Sequence, residues 1–187
     1  LMEFDQHQAV TMLLDNMDKI PMEKVVSQLD KTPNKKYLFV YLDKIFQKDP
    51  HMGEKYHGVM VKLYAEYCPQ KLLSFLKNSI HYPLQMALDE CQLRNLIPEQ
   101  VFLLGRMGNV KQALKLITEK LQDVNRAIDF CKEQNEPELW EDLIQSSLDK
   151  PFFIKVLLHN IGTHVDPIIL IDKIREGMEI EGLRDSL

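Results

Sequence analysis

Proline acts as punctuation along this chain. Pro21, Pro69, Pro83, Pro98, Pro137, Pro151 and Pro167 each stand just before a run in which apolar residues return every three or four positions. Proline lacks an N–H and its ring blocks the preceding turn, so it cannot sit inside a helix. It is tolerated at the first helical position, where that donor would have no partner anyway. Two further starts carry a cap instead: Asn109 before Val110, and Asp123 before Val124. From Pro69 onward the starts fall at 69, 83, 98, 110, 124, 137, 151 and 167. Taken two at a time, the spacing is roughly 28 residues, and a fixed period of that size marks a solenoid of stacked helix pairs. A four-helix bundle also has short loops, but it has no place for so many successive short helices.

The apolar phase agrees. Ala9, Val10, Met12, Leu13, Leu14 and Met17 form one helical stripe; Tyr37, Leu38, Val40, Tyr41, Leu42, Ile45 and Phe46 form a second; Val59, Met60, Leu63, Tyr64 and Tyr67 form a third. No hairpin dipeptide and no long period-two stretch is present. The expected fold is all-α, an α-solenoid of antiparallel helix pairs with about 12–13 helices. Helices are expected near residues 5–18, 21–30, 35–48, 53–67, 69–77, 83–94, 98–107, 110–121, 124–134, 137–149, 151–160 and 167–177, with a last one beginning near Leu183. The rhythm changes before Pro69, so residues 1–50 read as leading helices of the solenoid and 51–187 as the repeat proper.

The composition narrows the chemistry. Among 187 residues the formal net charge is −5. Nucleic acid is therefore not an expected partner, because phosphate binding needs a basic surface. Charge is unevenly spread: residues 1–60 carry 8 basic and 9 acidic groups, 61–130 carry 9 and 7, and 131–187 carry 6 and 12. The acidic end either faces a basic partner or is simply solvated. Cys68, Cys91 and Cys131 are odd in number and widely spaced, so they read as reduced thiols, with Cys91 and Cys131 as core fillers. The six histidines include no metal-binding helical pair. His164 and Asp166 could suggest a base and its orienter, but Asp166 before Pro167 is better explained as a helix cap. Gly105 and Gly108 are misplaced for a phosphate cradle, and Gly108-Asn109 reads as a helix stop followed by a cap. The expectation is no enzyme, no cofactor and no metal. The longest apolar runs are too short to span a bilayer, no signal peptide is visible, and direct membrane insertion is not expected.

Ala87, Ala113 and Ala127 recur at one phase of their helices, where a small side chain lets a neighbouring helix approach closely. Trp140 and Leu143 are expected to anchor an inter-repeat core. Around the helix starting at Pro167, Ile168, Ile171 and Ile174 stand with Ile169 and Leu170, and a helix apolar all round needs cover on more than one side. These isoleucines are the candidate interface, with self-association as the expected outcome.

Several segments also carry a resemblance. Leu-Leu-Gly-Arg-Met-Gly-Asn-Val-Lys-Gln-Ala-Leu at 103–114 and Asp-Val-Asn-Arg-Ala-Ile-Asp-Phe at 123–130 resemble the clathrin heavy chain repeat. Glu-Leu-Trp-Glu-Asp-Leu-Ile at 138–144, Asn-Ile-Gly-Thr-His-Val-Asp-Pro at 160–167, Lys-Ile-Arg-Glu-Gly-Met-Glu-Ile at 173–180 and Leu-Arg-Asp-Ser-Leu at 183–187 resemble the vacuolar protein sorting-associated forty-one family, subunits of the HOPS tethering complex. The likeness is dense from about Tyr56 onward and loose over the first 50 residues. It implies a helical stretch cut from a longer protein that also has a β-propeller and a RING-type zinc module. It implies a non-enzymatic scaffold in vesicle-mediated transport to the vacuole or lysosome, peripheral on the cytoplasmic face of late endosomes, lysosomes or vacuoles. The implied partners are other HOPS subunits, components of the adaptor three pathway, and a second copy of the chain.

The competing reading is a tetratricopeptide-type adaptor that binds peptide segments, against which stand the shorter period and the single Trp. A membrane-surface helix would need basic residues beside an apolar face. Lys31, Lys35 and Lys36, the one basic cluster, fall in a solvated turn instead.

Overall fold

Helix ends in this chain are set by a few residues with special backbone needs. Gly108 has φ +79°. Its N–H donates to the carbonyl of Gly105 and the N–H of Asn109 donates to that of Leu104. That pair of bonds closes the last turn and satisfies carbonyls that the helix leaves over. Asn95 does the same without glycine, at φ +55°, with bonds from Asn95 N–H to Gln92 and from Leu96 N–H to Cys91. Starts are set by Asp123, whose carboxylate accepts from Arg126 N–H at 3.0 Å, and by Asp166, which accepts from Ile168 N–H at 2.9 Å.

The computed structural model describes residues 2–16, 19–160 and 166–174. Among them are twelve α-helices and no strand: α1 Met2–Asp15, α2 Met22–Asp30, α3 Lys36–Lys48, α4 His57–Tyr67, α5 Pro69–Asn78, α6 Leu84–Leu93, α7 Ile97–Arg106, α8 Val110–Leu116, α9 Val124–Gln134, α10 Pro137–Ser147, α11 Pro151–Asn160 and α12 Pro167–Lys173. A 3-10 turn, Glu54–Tyr56, precedes α4, and a π-helical turn, Ile117–Leu121, extends α8. The fold is all-α, as the periodicity requires.

The chain forms two compact units, residues 1–99 and 100–187. In the first, α2 and α1 pack on α3, α3 on α4, and α4 on both α5 and α6. In the second, α8 packs on α9 and α10, α9 on α10 and α11, and α11 on α10 and α12. Contact with the next helix and the next but one is the pattern of a helical repeat, in which each pair buries the apolar face its neighbour cannot.

Several expectations shift in detail. Pro21 and Pro83 occupy the N-cap position, with Met22 and Leu84 opening the helices. Pro98 is the second residue of α7. Asn109 is at the N-cap of α8, but its side chain makes no capping bond. Its backbone is already committed to the preceding stop. The helix expected over 53–67 begins with the 3-10 turn, because Gly53 sits at φ +73°. The one expected over 110–121 changes pitch at Ile117. The described part of α12 ends at Lys173, where Ile174 turns extended. The expected residues 175–177 and the helix near Leu183 lie outside the described residues, as does His164.

Candidate interaction site

Three helices of the first unit build a cleft from matched patterns. On α3 and just beyond it, Asp43, Phe46, Gln47 and Pro50 share a face; on α5, Lys71, Ser74, Phe75 and Asn78 share another. Asp43, Phe46 and Gln47 follow the i, i+3, i+4 spacing that aligns side chains along a helix, as do the four residues of α5 with i+7 added, while Pro50 stands just past the end of α3. From α4, His57 and Tyr64 also line the space, with Ser79 after α5. The cleft encloses about 370 Å³ and is half open to solvent.

Its apolar lining is aromatic. The Phe75 ring lies 5.0 Å from Tyr64, 5.5 Å from His57 and 6.0 Å from Phe46. Phe46 meets His57 edge-on at 4.7 Å. Beyond the cleft the cluster continues to Tyr82 and to Phe39, which packs on Tyr64 and Tyr67. Such offset and edge-on pairs fix ring positions more tightly than aliphatic packing does.

The polar groups are mostly spent on one another. Tyr64 donates its hydroxyl to Asp43, whose other oxygen accepts from Gln47 at 2.8 Å. Lys71 approaches the same carboxylate at 3.9 Å and stays largely in water. Burial first, and the Asp43 bond second, hold the Tyr64 phenol well above its ordinary range. His57 is 2% exposed and pairs its Nδ1 with Ser79 Oγ at 2.6 Å. Ser79 also accepts from His81 N–H at 3.2 Å. His57 Nε2 is buried with no hydrogen-bond partner. Burial pushes this imidazole toward its neutral form, and His81 adds to the effect. Rings on three sides and a polar rim suit an inserted apolar side chain.

None of the sequence-derived candidates lies in the cleft. Ala87 is fully buried in α6; Ala113, Ala127 and Leu143 are fully buried in α8, α9 and α10; Trp140, in α10, is 6% exposed. On α12, Leu170 is buried while Ile168 and Ile171 are 61% and 36% exposed. Ile174 is half-buried just past the helix end. Buried Cys91 and Cys131 have thiols pushed up to about 12 by burial, which leaves them protonated and unreactive. Among the described residues no three His, Cys, Asp or Glu gather as metal ligands, and no helix is long and apolar enough to cross a membrane. A second hollow of about 450 Å³ lies against Ala9, Val10 and Leu13 of α1 and Leu29, Pro33 and Tyr37.

Short helix pairs, stacked on their neighbours and leaving a groove between alternate helices, define a tetratricopeptide-like helical-repeat protein. The family model described as "Vps41 TPR-like region" matches residues 1–172. This chain belongs to that family, the vacuolar protein sorting-associated protein 41 proteins. It is 57% identical to the human and mouse homologs of that protein over all 187 residues, which is 22% of each relative's length. It is 38% identical to the Arabidopsis thaliana homolog over 200 aligned residues, all of this chain and 20% of the relative. The chain thus spans about a fifth of the curated relatives it matches. No solved structure matches it. The match is to a TPR-like region; the likeness to a clathrin heavy chain repeat rests on the quoted segments alone.

Proposed function

We propose that this chain is a non-catalytic interaction module of a HOPS-type tethering subunit, acting in protein transport to the vacuole or lysosome. One observation carries the reading: a match along the whole chain to proteins whose names place them in vacuolar protein sorting. The fold supports it, since stacked helix pairs offer extended surfaces for partner proteins. The partners would be other subunits of the complex and components of the adaptor three pathway, with the chain held peripherally on the cytoplasmic face of the organelle. In cells lacking the endogenous protein, the full-length form should restore delivery of a vacuolar hydrolase, and the form with this segment deleted should not. Full rescue by the deleted form would overturn the reading.

Self-association is a finer proposal, supported by exposed Ile168 and Ile171 on α12. Light scattering should give a mass above 21.9 kDa that falls to the monomer on Ile171→Glu with helicity kept. A monomer at every concentration would exclude it. The adaptor alternative also has support, because the matched region is TPR-like and the aromatic cleft suits a peptide side chain.

A further inference from the structure

We propose that the cleft between α3 and α5 docks an extended acidic peptide segment that lays one aromatic or large aliphatic side chain against the Phe46 and Phe75 rings. The shape argues for a single inserted side chain. Phe46 and Phe75 are fixed by each other, by Tyr64 and by His57, so the hollow is held open by ring contacts before anything enters it. A preformed apolar space loses little on binding, because its walls are already ordered.

The charge argues for an acidic segment. The two helices that wall the cleft carry Lys36, Lys44, Lys48, Lys71 and Lys77 against a single acid, Asp43. Asp43 keeps its charge while it accepts from the Tyr64 hydroxyl and the Gln47 amide, and Lys71 is the one of these lysines that lines the cleft with it; the other four stand elsewhere on the two helices. The net field of the two helices is positive, in a chain whose formal net charge is −5. Acidic flanks would be drawn to these walls, which favours encounter and register more than final affinity. Exposed Ser74 and Asn78 stand at the rim, where a hydroxyl and an amide can pair with the backbone of an extended segment. A flat anionic bilayer would reach the lysines but not the rings. The proposal is independent of the tethering role, since it concerns what the isolated chain binds.

The test is fluorescence anisotropy with the 187-residue chain. The probe is a fluorescein-labelled peptide with one central phenylalanine and four glutamates on each side. Comparison peptides replace the phenylalanine by glycine, or the glutamates by lysines. Saturable binding that weakens with salt is expected, at least about tenfold tighter than to either comparison peptide. Lys71→Glu should weaken it about fivefold. Ser74→Trp and, from the opposite wall, Gln47→Trp should each abolish it by filling the cleft from exposed positions, with circular dichroism and melting temperature unchanged. No saturation up to about 1 mM, equal affinity for the glycine-centred peptide, or binding undiminished in both tryptophan variants would overturn the proposal. So would capture of phosphatidylserine vesicles, lost in Lys71→Glu, by a chain that ignores the peptide.

Discussion

The Lys150 ammonium donates to the backbone carbonyl of Thr118 at 2.9 Å, across 32 positions of sequence. The Thr118 carbonyl lies in the π-helical turn, whose chain leaves the helix at Gln122 with φ +52°. Carbonyls in the last turn have no onward N–H, and a cation there also meets the negative end of the helix dipole. Lys150 lies over the Phe153 ring at 4.7 Å as well. It therefore ties the start of α11 to the end of the helix that begins at Val110. Lys150→Met should cost about 1–2 kcal/mol, and Lys150→Arg much less. Thermal melts would show the loss, and amide exchange should speed up first over residues 117–121. Equal melting of wild type and Lys150→Met would mean that water replaces the lysine at no cost.

Trp140 is nearly enclosed within α10, beside fully buried Leu139 and Leu143. Replacing it by alanine removes most of that ring from a packed interior and leaves a cavity. Trp140→Ala should cost about 3–5 kcal/mol in a denaturant melt. An unchanged midpoint would mean that the surroundings collapse onto the vacated space.

Helix positions were legible in the sequence because Pro69, Pro137, Pro151 and Pro167 each open a helix, and Asp123 and Asp166 cap theirs with real hydrogen bonds. The π turn was not legible: Ile117, Thr118 and Leu121 continue the apolar phase, and the Lys150 that bonds the Thr118 carbonyl stands 32 positions away in sequence. The cleft was hidden for a related reason. Phe46 and Phe75 carry the same apolar signal as any core residue, and only the placement of α3 beside α5 shows that their rings line a space. The matched spacing of Asp43, Phe46, Gln47 and Pro50 with Lys71, Ser74, Phe75 and Asn78 was available in the sequence, but nothing local pairs the two sets.

Two glycines three positions apart should respond differently to alanine. Gly108 is held at φ +79° with nothing within 4 Å of a built Cβ, so strain alone decides. Gly108→Ala should cost about 1–2 kcal/mol. Gly105 is helical, and its added Cβ would stand 3.4 Å from the Phe130 ring, an ordinary contact. Gly105→Ala should be neutral or stabilise by up to about 1 kcal/mol through reduced freedom of the unfolded chain. Melting curves of the two variants side by side check this, and a loss at Gly105 as large as that at Gly108 would show that Phe130 cannot yield.

His57 should make the first unit acid-sensitive. Burial is the leading cause that lowers its folded pKa below the ordinary histidine value of about 6.5; His81 and His51 add to it, and Glu54 opposes it. His81 itself contacts Glu54 at 3.2 Å and lies 5.5 Å from the His57 ring, while Phe46 and Phe75 offer no charge to balance a proton. The folded chain thus keeps this imidazole neutral at a pH where the unfolded chain has begun to bind a proton. Stability from this group is complete above about pH 6.5 and is lost as the pH falls through that value toward the lower folded pKa. His57→Leu fills the same apolar surroundings and cannot be protonated. Wild type should lose more melting temperature than His57→Leu between about pH 7 and pH 5.5, and the difference between the two curves removes the contribution of the other titrating groups. Parallel curves would show that His57 Nε2 reaches water or a partner when protonated, and that its burial costs the folded state nothing.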